Sequence, residues 1–165
     1  MPKCIIDGKE YEFNAGETII QIADRNGVEI PRFCYHPALT VVAQCRMCAV
    51  EIDKMPKLAT ACSTPAGDGM VVHTKSPKAK QMQSSVMEFL LINHPLDCPI
   101  CDEAGECDLQ DYSFAYGESD NRYSEDRRTY IDLDMGPVIK KNMNRCIHCT
   151  RCIRFCDEIG GSREM

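Results

Sequence analysis

Cysteine recurs in this sequence at short, fixed spacings, and this pattern constrains the fold more than any other feature. The chain has 12 cysteines among 165 residues, and all of them except Cys4 fall into three groups. So many cysteines indicate either a disulfide-linked secreted scaffold or a metal-binding protein of a reducing compartment. Residues 1–7 lack both the apolar core of a secretion signal and the Arg/Ser-rich character of a transit peptide. We therefore expect the chain to stay in the compartment where it is made and to bind metal.

The first group has the spacing Cys-x10-Cys-x2-Cys-x13-Cys and consists of Cys34, Cys45, Cys48 and Cys62. Four thiolates on one long loop and a nearby strand are able to hold two irons and two sulfides. Plant-type 2Fe–2S ferredoxins likewise combine closely spaced cysteines with one distant cysteine, although their first gap is shorter. An all-thiolate zinc site is the alternative, but such sites generally use two close pairs, and only Cys45 and Cys48 form a close pair here.

The second group has the spacing His-x3-Cys-x2-Cys-x5-Cys and consists of His94, Cys98, Cys101 and Cys107. Three thiolates and one imidazole fit a 4Fe–4S cluster with a single nitrogen ligand. A neutral imidazole in place of a thiolate removes a negative charge, so it should raise the reduction potential, as histidine ligation does in Rieske centres. A zinc knuckle with three cysteines and one histidine is the alternative. The other histidines, His36, His73 and His148, have no such neighbours, and we expect surface or hydrogen-bonding roles for them.

The third group has the spacing Cys-x2-Cys-x2-Cys-x3-Cys and consists of Cys146, Cys149, Cys152 and Cys156. This is the spacing of bacterial 4Fe–4S ferredoxins, in which the fourth cysteine serves the other cluster of a pair. Asp157 replaces the proline that usually follows. Cys156 lies one helical turn after Cys152, so the two face the same way, and Cys156 would have to fold back over that turn to reach the same cluster. We expect Cys156 to be a buried thiol and the fourth ligand to come from elsewhere.

Strand and helix signals predict an α+β chain in four segments. Residues 1–77 are predicted to form a 2Fe–2S ferredoxin-type domain with the strand order of a β-grasp sheet, in which Cys4 is a buried apolar residue. Residues 78–117 form the 4Fe–4S segment with one histidine and three cysteines, residues 118–141 an irregular linker, and residues 142–165 the start of a further 4Fe–4S ferredoxin-like unit. The predicted strands are Lys3–Asp7, Tyr11–Phe13, Ala49–Ile52, Lys57–Ala61 and Met70–Thr74.

Two helices are indicated by their ends. Thr18 and Gln21 have the form of a capping box, and Asn26-Gly27 ends the helix that they begin. Ser76-Pro77 begins a second helix that continues to about Asn93. The apolar residues of this second helix recur at helical spacing and predict one buried face, made of Ala79, Met82, Val86, Phe89 and Leu90.

Composition excludes two classes of function. The formal net charge is −6, which argues against nucleic acid, because phosphates require clustered Lys and Arg. No apolar segment approaches the length needed to span a bilayer. No G-x-G-x-x-G follows a strand, so we expect no nicotinamide site and no substrate-binding active site within this chain.

Three stretches together resemble the N-terminal region of the large iron–sulfur subunit, the 75-kDa type, of respiratory NADH:quinone oxidoreductase. They are Pro31 to His36 with Cys45 to Cys48, then His94 to Asp111, and finally Arg145 to Cys152. The resemblance covers essentially the whole chain. It implies one 2Fe–2S cluster on the first group, one 4Fe–4S cluster on the second, and a second 4Fe–4S cluster on Cys146, Cys149 and Cys152.

The resemblance also implies what this chain lacks and where it works. In that family the third cluster takes its fourth cysteine from farther downstream, so we expect this cluster to be incomplete in the chain and the chain to be a fragment or a shortened subunit. It would relay single electrons from a flavin/NADH-binding subunit towards quinone, as part of an oxidoreductase complex. It would lie on the cytoplasmic side of the bacterial inner membrane, or on the matrix side in an organelle, attached only through the complex.

Two alternatives stay open. The same iron–sulfur module resembles parts of NAD-linked hydrogenases, iron-only hydrogenases and some formate dehydrogenases. The sequence of residues 97–103, DCPICDE, more closely resembles the respiratory enzyme. A zinc-stabilised scaffold without a redox role is the alternative from a different class.

Overall fold

The computed structural model describes residues 1–163. The strands are β1 (Lys3–Ile6), β2 (Lys9–Glu12), β3 (Ala49–Ile52), β4 (Ala59–Thr60), β5 (Val71–His73), β6 (Leu133–Asp134) and β7 (Lys140–Lys141). The helices are α1 (Ile19–Arg25), α2 (Pro77–Leu91), α3 (Asp108–Tyr116) and α4 (Arg151–Glu158), with one short 3-10 helix at Cys98–Ile100. The mixture of sheet and helices agrees with the α+β prediction at that level.

Contacts divide the described chain into two compact units. The first unit contains residues 1–83 together with the segment that begins at Thr150, and the second contains residues 84–149. The sequence assigned the C-terminal segment to a unit of its own, whereas here α4 belongs to the first unit. Its side chains hydrogen-bond the loop that carries Cys34, as described below. The four predicted segment boundaries remain predictions.

A five-stranded mixed sheet forms the centre of the first unit, with the strand order β2-β1-β5-β3-β4. β1 and β2 form an antiparallel hairpin, and Gly8 turns the chain between them at a φ of +83°. β5 lies parallel to β1, with Ile5 beside Val71, and antiparallel to β3. A parallel neighbour needs a long crossover connection, and residues 13–70 provide it, including α1 and the loop of the first cysteine group.

Helix α1 begins and ends where the sequence predicts. The Gln21 side chain accepts a hydrogen bond from the Thr18 backbone N–H at 2.9 Å, and Gly27 follows the helix with a φ of +68°. Its isoleucines Ile19, Ile20 and Ile22 are fully buried in one core with residues of β1, β3 and β5. Cys4 is also fully buried in this core, which confirms its prediction as an apolar residue.

Helix α2 differs from its prediction in which face is covered. Ala79 and Val86 are buried as predicted, but Phe89 is 71% exposed. Met87 and Gln83, which the apolar pattern did not select, are buried instead. The Gln83 side-chain amide donates to the Ala49 carbonyl at 3.4 Å, and this polar contact is what an apolar periodicity cannot detect.

The second unit has less regular structure. It contains the end of α2, the 3-10 helix, α3 and a small antiparallel hairpin in which β6 pairs with β7. This hairpin lies where the sequence predicted an irregular linker. Each of its strands has two residues with no apolar alternation, so the periodicity that marks a strand is absent. Within residues 1–163, none of the helices has the length and apolarity to cross a bilayer.

Candidate metal centres

The first cysteine group is buried in the core of the first unit. Cys34, Cys48 and Cys62 are no more than 1% exposed, and Cys45 is half-buried. Cys48 directly precedes β3, and its carbonyl accepts the Ala61 N–H at 3.0 Å. This bond brings the segment of Cys62 beside the segment of Cys48. The sheet therefore joins the two halves of a loop that are distant in the sequence.

Cys34 and Cys45 are joined by reciprocal hydrogen bonds. The backbone N–H of each one donates to the sulfur of the other at 3.5 Å. The side-chain hydrogen bond between them raises the pKa of Cys34, and burial raises it further. The same hydrogen bond is the main cause that lowers the pKa of Cys45 to about 5, against the opposing effect of burial. The hydrogen bond between the two sulfurs therefore favours the thiolate form of Cys45.

Cys48 and Cys62 form a second pair of the same kind. The side-chain hydrogen bond between them raises the pKa of Cys48 and lowers the pKa of Cys62, while burial raises both. The charges of Cys34 and Cys45 also raise the pKa of Cys62. Electrostatic interaction across both pairs shows that the structure brings all four sulfur groups into one small region.

The segment before Cys34 is tied to the end of α1. Arg32 forms a bidentate ion pair with Asp24, with N–O distances of 2.5 and 2.6 Å. Its guanidinium also lies 5.6 Å from the ring centroid of Tyr35. Bidentate arginine–carboxylate pairs fix orientation as well as position. Within the loop, Arg46 adopts a φ of +62°, a left-handed conformation that is uncommon for residues other than glycine and that often occurs at functional loops.

Two arginines of α4 contact the same loop from the other side. Arg154 is 8% exposed, and it donates to the Thr40 carbonyl at 2.7 Å and to the Cys34 carbonyl. Arg151 donates to the Tyr35 carbonyl at 2.7 Å. In return, the Thr40 N–H donates to the Glu158 carboxylate at 2.8 Å. The loop of the first group is therefore held by a helix about 120 residues away in the sequence.

The second group surrounds a cavity in the second unit that is partly open to solvent. All four residues that the sequence selected line this cavity, together with a glutamine and an arginine; they are His94, Cys98, Cys101, Cys107, Gln110 and Arg145. The structure thus brings the predicted set together. Cys98 is exposed, and the other two cysteines are half-buried.

Short turns position the three cysteines of this group. Cys98 begins the 3-10 helix, and its carbonyl accepts the Cys101 N–H at 3.2 Å. Cys107 is the N-cap residue of α3, where the helix dipole favours negative charge. The Gln110 side chain returns from α3 and accepts the Gly105 N–H at 3.2 Å. Gly105 has a φ of +91°, which allows the turn before Cys107.

Burial and nearby positive charge favour the neutral form of the His94 imidazole by lowering its pKa. Burial is the main cause that lowers its pKa, and the charges of Arg127 and Arg145 lower it further, while Asp97 opposes them. Arg127 also donates to the His94 carbonyl and, at 3.1 Å, to the Leu91 carbonyl. A histidine must be neutral to bind metal, so this environment suits a ligand.

The third group falls on both sides of the division between the units. Cys146 and Cys149 belong to the second unit, whereas Cys152 and Cys156 lie on α4 in the first. Cys146 accepts the His148 backbone N–H at 3.4 Å. Cys156 is half-buried rather than fully buried, and it lies one turn after Cys152 on the helix, as predicted. Ligation by this group, including the role of Cys156, stays a prediction.

The donor sets of the first two groups suit iron–sulfur clusters. Four close cysteines in an apolar core match the ligand set of a 2Fe–2S cluster, and three cysteines with one histidine around a cavity suit a 4Fe–4S cluster. In residues 1–163, no three His, Cys, Asp or Glu side chains converge as they would on a single metal ion. His36 and His73 make hydrogen bonds outside both sites, as predicted, to the Ala38 N–H at 3.2 Å and to Asp53 at 2.9 Å.

Sequence reasoning missed two arginines that contact these sites. Arg145 and Arg154 flank cysteines of the third group in the sequence, but one lines the cavity of the second group and the other holds the loop of the first. Their position beside cysteines was visible, yet nothing local indicated that they would reach a different group.

Three protein families match successive parts of the chain. The family described as "2Fe-2S iron-sulfur cluster binding domain" matches residues 3–77. The "NADH-ubiquinone oxidoreductase-G iron-sulfur binding region" matches residues 83–122. The "NADH-quinone oxidoreductase subunit 3, ferredoxin-like domain" matches residues 136–165. Each matched range contains one of the three cysteine groups.

Curated relatives extend the similarity over the whole chain. The G subunit of NADH-quinone oxidoreductase from Rickettsia bellii is 54% identical over 165 residues, which are 100% of this chain and 24% of that protein. The mitochondrial NADH-ubiquinone oxidoreductase 78 kDa subunit of Neurospora crassa is 52% identical over 162 residues, which are 97% of this chain and 22% of that protein. The chain therefore spans about a quarter of the length of the curated relatives it matches.

A solved structure with a similar fold comes from a different enzyme. It is the NAD⁺-reducing [NiFe]-hydrogenase in its H2-reduced state, with a TM-score of 0.88 and 26% sequence identity. The match covers 98% of this chain and 68% of the hydrogenase chain.

Proposed function

Because this chain belongs to the family of the NADH-quinone oxidoreductase G subunits, we propose that it is the iron–sulfur electron-transfer region of such a subunit. It relays single electrons that originate on NADH towards quinone. The observation that carries this proposal is the cavity around His94, Cys98, Cys101 and Cys107, since all four residues selected from the sequence line it. Iron–sulfur clusters, when bound, supply the one-electron chemistry.

The first group is proposed to hold a 2Fe–2S cluster through Cys34, Cys45, Cys48 and Cys62. Three of these cysteines are almost completely buried, so the core of the first unit excludes water from the site. Backbone N–H groups of Cys34 and Cys45 point at the sulfur atoms. Hydrogen bonds to sulfur and low solvent exposure are two of the means by which a protein sets the potential of such a site.

The second group is proposed to hold a 4Fe–4S cluster through His94, Cys98, Cys101 and Cys107. Burial and the charges of neighbouring arginines lower the pKa of the imidazole, which favours the neutral form that binds metal. A second 4Fe–4S cluster is proposed on Cys146, Cys149 and Cys152, with its fourth ligand outside this chain. Cys156 is proposed not to be that ligand.

The partners are proposed to be other subunits of a respiratory complex, including the one that binds flavin and NADH. Membrane attachment is proposed to be peripheral and through the complex, on the cytoplasmic side of the bacterial inner membrane or on the matrix side of the mitochondrial one. The names of the relatives support the complex.

Analysis of metal and acid-labile sulfide tests the proposal. The chain purified without oxygen should contain about six tightly held irons, with equal sulfide, from one 2Fe–2S and one 4Fe–4S cluster. The incomplete third site should lose its iron readily. A chain that holds zinc and no sulfide would instead be the zinc-stabilised scaffold.

The hydrogenase match supports a second candidate, the same module in an NAD-linked hydrogenase. The identity to the respiratory subunits is 54%, against 26% to the hydrogenase, and this difference favours the respiratory enzyme. Co-purification of the chain from its native source distinguishes the two, since a hydrogenase partner would bring nickel and hydrogen-oxidising activity with it.

A further inference from the structure

Arg154 lies where the loop of the first cysteine group meets α4. Its guanidinium donates to the Cys34 and Thr40 carbonyls, which are the two ends of one loop segment. Its Nε also donates to the Thr150 hydroxyl at 3.3 Å, close to the start of its own helix. One rigid, planar group therefore fixes both ends of the segment that follows Cys34, in a way that a flexible lysine could not.

We propose that Arg154 is a positioning residue of the first cluster, which fixes the Cys34 segment and places a buried positive charge beside it. This inference rests on the proposed function, because it concerns the cluster assigned to Cys34, Cys45, Cys48 and Cys62. Arg154 lies within the third cysteine group in the sequence, and the inference gives it a role at the cluster of the first group. The reduction potential of the first cluster thus depends on a helix that carries Cys152 of a different site.

The buried charge gives the direction of the expected effect. Reduction adds a negative charge to an already anionic cluster, and a nearby positive charge stabilises the reduced form more than the oxidised form. Arg154 is nearly fully buried, so solvent screens this interaction weakly. Removing the guanidinium charge should therefore lower the reduction potential of the first cluster.

The test compares Arg154→Gln, Arg154→Lys and a control in the full chain with its clusters assembled. Arg163→Gln is the matched control, because it removes the same charge from an exposed residue whose ion-pair partner within residues 1–163 is Asp157. EPR redox titration measures the first cluster, and the second cluster in the same sample is the internal reference.

For Arg154→Gln we expect the reduction equilibrium constant of the first cluster to fall at least tenfold, which is about 59 mV for one electron. Arg154→Lys should keep most of the potential but broaden the EPR signal, since one ammonium cannot reproduce the two carbonyl bonds. If the Gln variant does not fold, the EPR line shape of the Lys variant tests the inference instead, and a broadened signal would support it. Unchanged potential and line shape in every Arg154 variant that folds would overturn the inference. A parent chain without a 2Fe–2S signal would instead overturn the proposed function.

Arg145 carries a second, independent inference at the other cavity. Its Nε is buried and has no hydrogen-bond acceptor among residues 1–163, although its terminal nitrogen pairs with Asp97 at 3.5 Å. A buried donor without an acceptor is costly, and this residue lines the cavity of the four proposed ligands. We infer that the Arg145 Nε–H donates a hydrogen bond to the sulfur of the second cluster.

This inference also rests on the proposed function, and a variant pair tests it. Arg145→Gln should lower the reduction equilibrium constant of the second cluster at least tenfold and leave the first cluster unchanged. Arg145→Lys should recover part of the loss because it keeps the charge. Arg122→Gln is the control, since Arg122 is an exposed arginine of the same unit that pairs with Glu88.

An effect confined to the third cluster, whose Cys146 is adjacent to Arg145 in the sequence, would overturn the inference. Equal effects of Arg145→Gln and Arg122→Gln would overturn it as well. The absence of any 4Fe–4S signal from the parent chain would overturn the proposed function instead.

Discussion

The first two cysteine groups are built by different means. The first group lies inside a five-stranded sheet and helix core, where three of its four cysteines are almost inaccessible. The second lies around an open cavity formed by short turns, and large apolar residues near it, Leu96 and Ile100, are exposed. The core of the first unit would hold its cysteines together without iron. The second group has much less apolar packing to do so.

Removal of iron should produce the largest difference in behaviour between the two regions. After anaerobic chelation, we expect amide protection in residues 98–107 to fall more than tenfold, because metal ligation supplies much of the order of a site with little core. Amides of β1, β3 and β5 should change little. Hydrogen exchange monitored by mass spectrometry measures both regions in one sample. Equal loss of protection in both regions would show that the first site also depends on its cluster.

A core substitution tests the same difference from the protein side. Ile22 is fully buried beneath the sheet, so Ile22→Ala should destabilise the first unit by about 2–5 kcal/mol. Ile100→Ala removes the same atoms from an exposed residue of the second unit and should change stability by less than about 0.5 kcal/mol. Urea unfolding followed by circular dichroism gives both values. Comparable losses would mean that the exposed residues near the second group are covered in the folded protein.

His94→Cys tests the ligand that distinguishes the second site chemically. A thiolate in place of the neutral imidazole adds a negative charge, so the reduction potential of the second cluster should fall. We expect a fall of at least about 59 mV, which is a tenfold change in the reduction equilibrium constant for one electron. His73→Cys is a useful control, because His73 pairs with Asp53 on the surface of the first unit. EPR redox titration that gives the parent potential for both variants would exclude His94 as a ligand.

The smallest expected effect concerns a surface ion pair of the second unit. Arg122 hydrogen-bonds Glu88 of α2 at 2.9 and 3.0 Å and holds the pKa of that carboxyl at about 2. A carboxylate with a lowered folded pKa contributes stability above its ordinary pKa and loses it as the pH falls through the folded value.

Glu88→Gln should therefore be slightly less stable than the parent at pH 7, with the difference shrinking between about pH 4.5 and pH 2. Asp157→Asn, which removes a similar exposed pair in the first unit, is the control. Urea midpoints across this pH range measure both. A difference that grows on acidification would contradict the assignment of the shift to this pair.

Local signals in the sequence were sufficient for the regular elements of the first unit. The capping residues of α1 and the Ser76-Pro77 start of α2 each depend on residues within a few positions of one another. The cysteine spacings were equally local, and they selected the residues that the structure brings together at the first two groups. Patterns of this kind are readable because neighbouring residues determine them.

The features that sequence reasoning missed depend on distant residues. Phe89 has the right spacing for a buried face, but burial is decided by what packs there, and Met87 is covered instead. Arg154 and Arg145 are polar residues whose partners lie about 120 and 50 positions away. No periodicity marks such contacts, since an arginine is usually an exposed residue.

The bond between Arg154 and the Cys34 carbonyl also constrains the order of biosynthesis. The two residues are 120 positions apart, and a ribosome that adds roughly 5–20 residues per second needs about 6 to 24 seconds to produce the second after the first. During that time the cysteines of the first loop exist without the helix that fixes them. The final geometry of the loop therefore has to form late, and a cluster delivered earlier would be held by an incompletely braced segment.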